Sequence, residues 1–280
     1  MPKIAITQLT CSPDIAANVE KHIAAVREAA ANGAQIICLQ ELFDAQYFPQ
    51  FVDVKSYAFA RQLPDNVTVT MQNLAKELGV VLLVPIYEEA MAGVYFNTVL
   101  VYDADGAYLG KYRKNHIPDG PQYLEKFYFT PGDMGYPVFD TKFGRIAVGI
   151  CWDEWFPEVA RIFALQGANI IFYPSAIGSE PDRPEYSSAD AWQCVIRAHG
   201  IANNVFIAAP NRVGTEQDMT FYGESFVSDP FGTFLAKGDD KDAILYADCD
   251  FSKVKEAREL LQFFRDRRVD TYSPLLKMVL

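Results

Sequence analysis

The chain has 280 residues, 50% of them hydrophobic, with 25 lysines and arginines against 36 aspartates and glutamates, a net charge of −11. That length and apolar content suit a large packed core rather than a disordered chain, and the acidic balance repels polyanions, so neither nucleic acid nor a membrane is an expected partner. The cysteines at 11, 38, 151, 194 and 249 form no C-x-x-C pair and cannot all pair with one another; residues 3–9 lack the basic and apolar segments of a signal peptide, and no run of about 18 apolar residues exists, so a cytoplasmic protein is expected.

Residues 3–9 read as a strand. Ser12-Pro13-Asp14 starts a helix whose one face carries Ile15, Val19, His22, Ile23, Val26 and Ala30 before Gly33 stops it. The period then switches to a buried strand that ends at Glu41. A helix is predicted over 67–78 and ends at Gly79, followed by strands over 80–86 and 96–102, the second turned by Asp103-Ala104-Asp105-Gly106. A strand over 145–150 leads into Cys151, then come a helix over 156–166, a strand over 169–174, a helix over 190–203 and a strand over 205–209. Gly33-Ala34-Gln35-Ile36-Ile37 is echoed by Gly167-Ala168-Asn169-Ile170-Ile171, which suggests two similar halves able to stack sheet to sheet with helices outside. No Pro-, Gly- or Ser-rich linker divides the chain, so a single domain over 1–280 is predicted, with 179–188 as a loop or lid. The segment 254–280 begins as a helix and ends apolar, and is expected to pack on this subunit or on a neighbour.

Cys151 is delivered by a strand into a sharp turn shortly before Pro157 and Glu158, which suit a first helical turn. A thiol near a helix N-terminus is expected to have a lowered pKa, although free cysteines more often serve as inert packing. A cysteine nucleophile also needs a base and donors for an oxyanion. Of the three histidines, His22 and His199 fall in helical patterns, and His116 follows the basic run Lys111-Tyr112-Arg113-Lys114. Glu41, at the end of an apolar strand, is the other candidate base, because desolvation raises a carboxyl pKa. No His, Cys, Asp or Glu cluster has metal-ligand spacing, so no metal is expected.

Leu39-Gln40-Glu41-Leu42-Phe43, Lys111-Tyr112-Arg113-Lys114-Asn115-His116-Ile117-Pro118 and Gly149-Ile150-Cys151-Trp152-Asp153, in that order, resemble the Glu, Lys and Cys motifs of the nitrilase superfamily of carbon–nitrogen hydrolases. The likeness continues through Glu125-Lys126-Phe127-Tyr128-Phe129, Pro131-Gly132-Asp133 and Asn211-Arg212-Val213-Gly214. It implies an α/β four-layer α-β-β-α sandwich of two mixed sheets, no cofactor, and a homodimer or larger assembly. It implies that Glu41 acts as base, Cys151 as nucleophile, Lys114 and the Trp152 N–H as oxyanion donors, and Glu125 as the group that orients Lys114. Within the family, His116-Ile117-Pro118-Asp119-Gly120-Pro121 and Ala176-Ile177-Gly178-Ser179-Glu180-Pro181 point to a cysteine-dependent amidohydrolase acting on the carbamoyl C–N bond of a small linear amine, with N-carbamoylputrescine the expected substrate. The segment Tyr186-Ser187-Ser188-Ala189-Asp190-Ala191-Trp192-Gln193-Cys194 departs from the family's arginine-rich pattern and leaves the far half of the substrate open.

Trp152, His116, Glu154, Trp155, Glu180 and Tyr123 are the expected substrate contacts, since acids and aromatic rings suit a cationic amine. Asp153 is set aside as structural. Alternatives are an N-carbamoyl-β-alanine or other N-carbamoyl amino acid hydrolase, with Arg183 or Arg212 as anion site, an omega-amidase or aliphatic amidase, a papain-like enzyme using His199, and a non-catalytic scaffold.

Overall fold

Alternation along the first strands sets the architecture. In β1 (Lys3–Gln8), β2 (Ile36–Cys38), β3 (Val81–Met91) and β4 (Val94–Tyr102), the side chains of Ile4, Ile6, Ile36, Cys38, Val81, Leu83, Val99 and Val101 share one core, while Ala5, Ile37, Leu82, Val84 and Leu100 belong to another. The second set packs against Val19, Val26 and Ala29 of α1 (Ile15–Ala31) and Met71, Leu74 and Ala75 of α2 (Asn66–Leu78). Local chemistry starts both helices, for Asp14 accepts from the Ala17 N–H, and Asp65 accepts from the Thr68 N–H in a capping box. Gly79, at φ 68°, ends α2. The computed structural model describes residues 1–279.

The first sheet is completed by β5 (Tyr108–Arg113) and by β14 from the end of the chain, in the order β14 (Ala243–Asp248), β1, β2, β3, β4, β5. The second contains β6 (Val138–Thr141), β7 (Gly144–Val148), β8 (Ile170–Phe172), β9 (Phe206–Ala209), β12 (Phe226–Ser228) and β13 (Phe234–Lys237); β10 (Val213–Glu216) and β11 (Met219–Tyr222) form a separate hairpin. Ile207 lies beneath Gly200 of α4 (Ala189–Asn203), so the opposite face of the second sheet, with Ile146, Val148, Ile170, Phe172 and Phe206, meets the first sheet. On the outer face, with Ala147, Ile171 and Ile207, lie Val159, Ala160 and Phe163 of α3 (Pro157–Leu165) and Trp192 and Ile196 of α4. The α-β-β-α sandwich is therefore present, with parallel central strands covered on both faces.

The sequence echo marks a structural repeat. Gly33 and Gly167 both take positive φ, 85° and 89°. After each, the backbone N–H of the polar residue donates across to the first sheet strand of its half, Gln35 to the Lys3 carbonyl and Asn169 to the Arg145 carbonyl, both at 2.8 Å. Their side-chain oxygens accept in return from the Lys3 and Arg145 N–H groups. In each half, two right-neighbouring parallel strands follow through a helix, and an antiparallel pair closes the edge.

Strand β3 runs five residues beyond the predicted end at Ile86. Buried Glu88 would end an isolated strand, but Lys111 and Arg113 on the neighbouring ribbon pair with it and the Thr98 hydroxyl donates to it. At the other end of the chain, α5 (Ser252–Leu261) buries Val254 and Ala257, yet Leu275, Leu276, Met278 and Val279 stay exposed, so the apolar end does not pack on its own subunit; Leu280 lies outside the described residues. No described helix is long and apolar enough to cross a membrane.

Phe172 sits between the sheets with no exposure. Phe172→Ala should lower unfolding free energy by about 3–5 kcal/mol in urea titration, the cost of a large buried cavity; a loss below about 1 kcal/mol would contradict its place in the inter-sheet core.

Candidate active site

Three strand ends meet at one rim. Glu41 follows β2, Lys114 follows β5, and Cys151 follows the extended Ile150 after β7. Strand alternation explains Lys114: Lys111 and Arg113 point to Glu88, Tyr112 points into the core, and Lys114, whose N–H donates to the Asn97 carbonyl at 2.9 Å, continues on the Tyr112 side.

Lys114, Glu41 and Glu125 are all fully buried. The Lys114 ammonium lies 2.9 Å from Glu41 Oε1 and 2.6 Å from Glu125 Oε2. Asn97 Nδ2 donates to Glu41 Oε1 at 2.7 Å, and the Tyr47 hydroxyl donates to Glu125 Oε1 at 2.6 Å. Glu41 Oε2 is buried and has no partner among the described residues. Two carboxylates against one ammonium leave a negative excess. Burial alone would lower the Lys114 pKa, but Glu125 and Glu41 hold it well above the usual lysine value, so the ammonium stays charged. Burial raises the Glu125 carboxyl, Lys114 opposes it and Glu41 adds to it, bringing its pKa up to about 7.

The loop carrying Glu41 is fixed from below. Leu42 takes φ 49°, and buried Arg212 donates to the carbonyls of Glu41, Leu42 and Ala45 at 3.0, 2.7 and 2.9 Å. Its remaining charge pairs with Glu216 at 2.7 Å, and Glu216 also accepts from the Tyr47 N–H. Arg212 is thus no anion site for a substrate: it is fully buried, both its terminal nitrogens are bonded to the protein, and it does not line the cavity.

Cys151 opens a one-turn 3-10 helix, Cys151–Trp155, with φ 45°. Its N–H donates to the Pro174 carbonyl at 3.0 Å. The turn's first backbone bond is donated by the Asp153 N–H to the Ile150 carbonyl at 3.0 Å, so the Trp152 N–H, second in the turn, lies ahead of the first intrahelical donor, where helix-start N–H groups have no intrahelical partner. Asp153 binds the pieces together: Oδ2 accepts from the Tyr112 hydroxyl and the Ile150 N–H, and Oδ1 accepts from the His116 N–H and from His116 Nδ1. Its structural reading stands on these four bonds.

The thiol departs from expectation. Burial, with Glu41 adding and Lys114 opposing, pushes the Cys151 pKa well above the usual thiol value. The α-helix proper begins only at Pro157, and one turn of 3-10 helix stands between, so desolvation and the nearby carboxylates outweigh any helix-terminus effect.

A cavity of about 400 Å³ opens at Cys151. Tyr123, Trp152, Trp155 and Glu180, all named from the sequence, line it, together with Arg183, Asp182 and Tyr186 of the irregular 179–188 segment. Trp152 is 39% exposed, and the Trp155 indole Nε1 is buried without a partner. Two expected contacts are absent. His116 lies off the cavity, stacked on Phe156 at 3.8 Å and bonded to Asp153, where it ties the lysine loop to the cysteine turn. Glu154 is fully buried behind that turn and bonded to Ser175 and Trp192, because a 3-10 turn directs its side chain away from the face that carries Trp152 and Trp155. Sequence reasoning missed Asn97 and Tyr47; a lone asparagine within the apolar strand Phe96-Asn97-Thr98-Val99 was the available signal for the first.

Chemically, a buried carboxylate with one free oxygen, a fixed ammonium, a backbone N–H at the head of a turn and a thiol can abstract a proton, attack a carbonyl and hold the oxyanion.

A carbon–nitrogen hydrolase family model matches residues 3–259. The chain is 48% identical to an N-carbamoylputrescine amidase of Arabidopsis thaliana, over 98% of this chain and 95% of that protein. It is 40% identical to a citrullinase of Francisella tularensis subsp. tularensis, over 98% of each. Among solved structures, a carbon–nitrogen hydrolase from Helicobacter pylori G27 superposes with a TM-score of 0.95 at 36% identity, covering 100% of this chain and 99% of that one.

Lys114→Met leaves two buried carboxylates without their cation, so it should destabilise the fold by about 3–5 kcal/mol at neutral pH. The sign follows from linkage: without Lys114, which opposes the rise, the folded-state pKa of Glu125 climbs further above its unfolded value, so stability falls as pH climbs above the unfolded value of about 4.3. Urea titrations of both proteins across this range would show a loss that grows with pH; a constant loss would contradict the paired geometry.

Proposed function

This chain belongs to the carbon–nitrogen hydrolase family, and on that premise we propose that it cleaves the ureido C–N bond of a small linear N-carbamoyl amine, N-carbamoylputrescine first among them, to amine, ammonia and carbon dioxide. The observation that carries the chemistry is the free Oε2 of Glu41 on a carboxylate otherwise held by Lys114 and Asn97. Glu41 takes the Cys151 proton as the sulfur attacks the carbonyl carbon, which lets a high-pKa thiol react without first becoming a free thiolate. The carbonyl oxygen gathers charge between Lys114 Nζ and the Trp152 N–H. Ammonia or amine leaves with the proton from Glu41, water activated by the same carboxylate cleaves the thioester, and the carbamic acid released breaks down to carbon dioxide. Glu125, itself held by Tyr47, fixes Lys114.

Support for a cationic far end comes from half-buried Glu180 with Asp182 and Asp119 in the cavity lining, beside Tyr123, Trp152 and Trp155. Arg183 on the same lip favours one second reading: an omega-ureido amino acid, whose carboxylate would meet that guanidinium while its ammonium meets the acids. The likeness to a citrullinase fits this. The exposed apolar side chains of Leu275, Leu276, Met278 and Val279 suit burial against a second copy in a homodimer or larger assembly.

Cys151→Ala should lose turnover by at least about 10³-fold with its fold retained, and Cys151→Ser should be nearly as inactive, as measured by ammonia release; retention of more than about one-tenth would remove Cys151 from the chemistry.

Across N-carbamoylputrescine, N-carbamoyl-β-alanine, citrulline, simple amides and nitriles, kcat/KM for N-carbamoylputrescine should exceed that for N-carbamoyl-β-alanine by at least about 100-fold. Citrulline turned over best, with the rate lost in Arg183→Ala, would establish the second reading; a preference for N-carbamoyl-β-alanine would overturn both.

A further inference from the structure

Behind the nucleophile lies an ionisable group that the proposed chemistry does not use. Glu154 has no exposure. Its Oε1 accepts from Trp192 Nε1 at 2.7 Å, and its Oε2 lies 2.7 Å from Ser175 Oγ. Ser175 Oγ is also 3.0 Å from the buried Tyr173 carbonyl. A serine hydroxyl has one proton to give. If it went to Glu154, the Tyr173 carbonyl would lose its donor; given to Tyr173, it leaves Ser175 Oγ as an acceptor facing Oε2. The Trp192 indole, both Glu154 oxygens, the Ser175 hydroxyl and the Tyr173 carbonyl are all satisfied when the proton between Glu154 and Ser175 belongs to the carboxyl group.

We infer that Glu154 works as a neutral carboxylic acid, its proton completing a chain from the Trp192 indole through Glu154 and the Ser175 hydroxyl to the Tyr173 carbonyl, and that this chain positions the turn presenting Cys151. The chain joins that turn to the end of β8 and to α4, and His199 Nε2 adds a bond to the Glu154 carbonyl at 3.0 Å. The titratable groups around Glu154 are Cys151 on its own turn, Glu41 and Lys114 across the rim, Tyr173 just after β8, Tyr222 on the β10–β11 hairpin, and His199 on α4. Burial pushes the Glu154 carboxyl well above the usual carboxylate range, in keeping with the hydrogen-bond count. An anion here would be a third carboxylate beside a single ammonium, and would hold the Cys151 proton more tightly.

The protonation state rests on geometry alone; its effect on turnover rests on Cys151 being the nucleophile, and the two are tested separately. The infrared difference between the native protein and Glu154→Gln at about pH 8, above the ordinary carboxylate range, should contain the carbonyl stretch of a protonated carboxylic acid. Its absence overturns the inference whatever the enzyme's activity. Ser175→Ala leaves Glu154 in place but removes the acceptor of its proton, so the same band should shift, and an unmoved band overturns the chain; this arm serves even where Glu154→Gln fails to fold. On the best substrate, Glu154→Gln, which keeps shape and neutrality, should hold kcat/KM within about threefold and leave its pH profile in place, while Glu154→Asp, too short for both partners, should lower kcat about tenfold or more at little change in KM. A profile displaced by about one pH unit or more in Glu154→Gln would mean that a negative charge had been removed, and would overturn the neutral state.

Discussion

An ammonium withdrawn wholly from water and balanced between two carboxylates governs this molecule. Alone, each of these ions would pay a desolvation penalty of several kcal/mol, and their mutual attraction offsets it only when geometry is good and the remaining lone pairs are filled. Here Asn97 and Tyr47 fill them, Glu216 and Arg212 hold Tyr47 and the Glu41 loop, and the chain of support runs from the first sheet to the β10–β11 hairpin. One oxygen is left out of this arrangement. Glu41 Oε2 is the place where the network stops: buried, and without a partner among the described residues.

The repeat explains how such a site arises from ordinary parts. Two halves of the same order, each a run of parallel strands joined by helices, place their strand ends along a shared rim. Counting from the paired glycines, Ser175 stands in the second half where Glu41 stands in the first. One position carries a buried carboxylate with a free oxygen, and the other a hydroxyl bonded to the glutamate behind the cysteine turn. The sheets supply rigid elements; the differences between halves supply the chemistry.

Much of this was legible in the sequence because it rests on local signals. The helices capped at Asp14 and Asp65 and ended at Gly33 and Gly79 follow from residue type, as do the period-two strands that deliver Glu41, Lys114 and Cys151. What was not legible depends on partners distant in the chain. The strand read as ending at Ile86 runs on because Lys111 and Arg113 cross to Glu88; Arg212, read as a candidate anion site, is taken by Glu216 and three carbonyls; Glu154, read as a pocket acid, is enclosed by Trp192 and Ser175. The Cys151 pKa failed for the same reason. Helix position is read locally, whereas burial and charge balance are sums over the whole fold.

Cys151 holds a left-handed backbone, φ 45°, that a side-chain-bearing residue adopts at a cost of about 1–2 kcal/mol. Glycine would accept that conformation freely. The position is therefore one where durability and reactivity pull apart: the residue that would relax the backbone is the one that cannot carry sulfur. Glycine at 151 would relieve the backbone and remove the one thiol that lines the cavity, so stability gained at this position is gained at the expense of the sulfur.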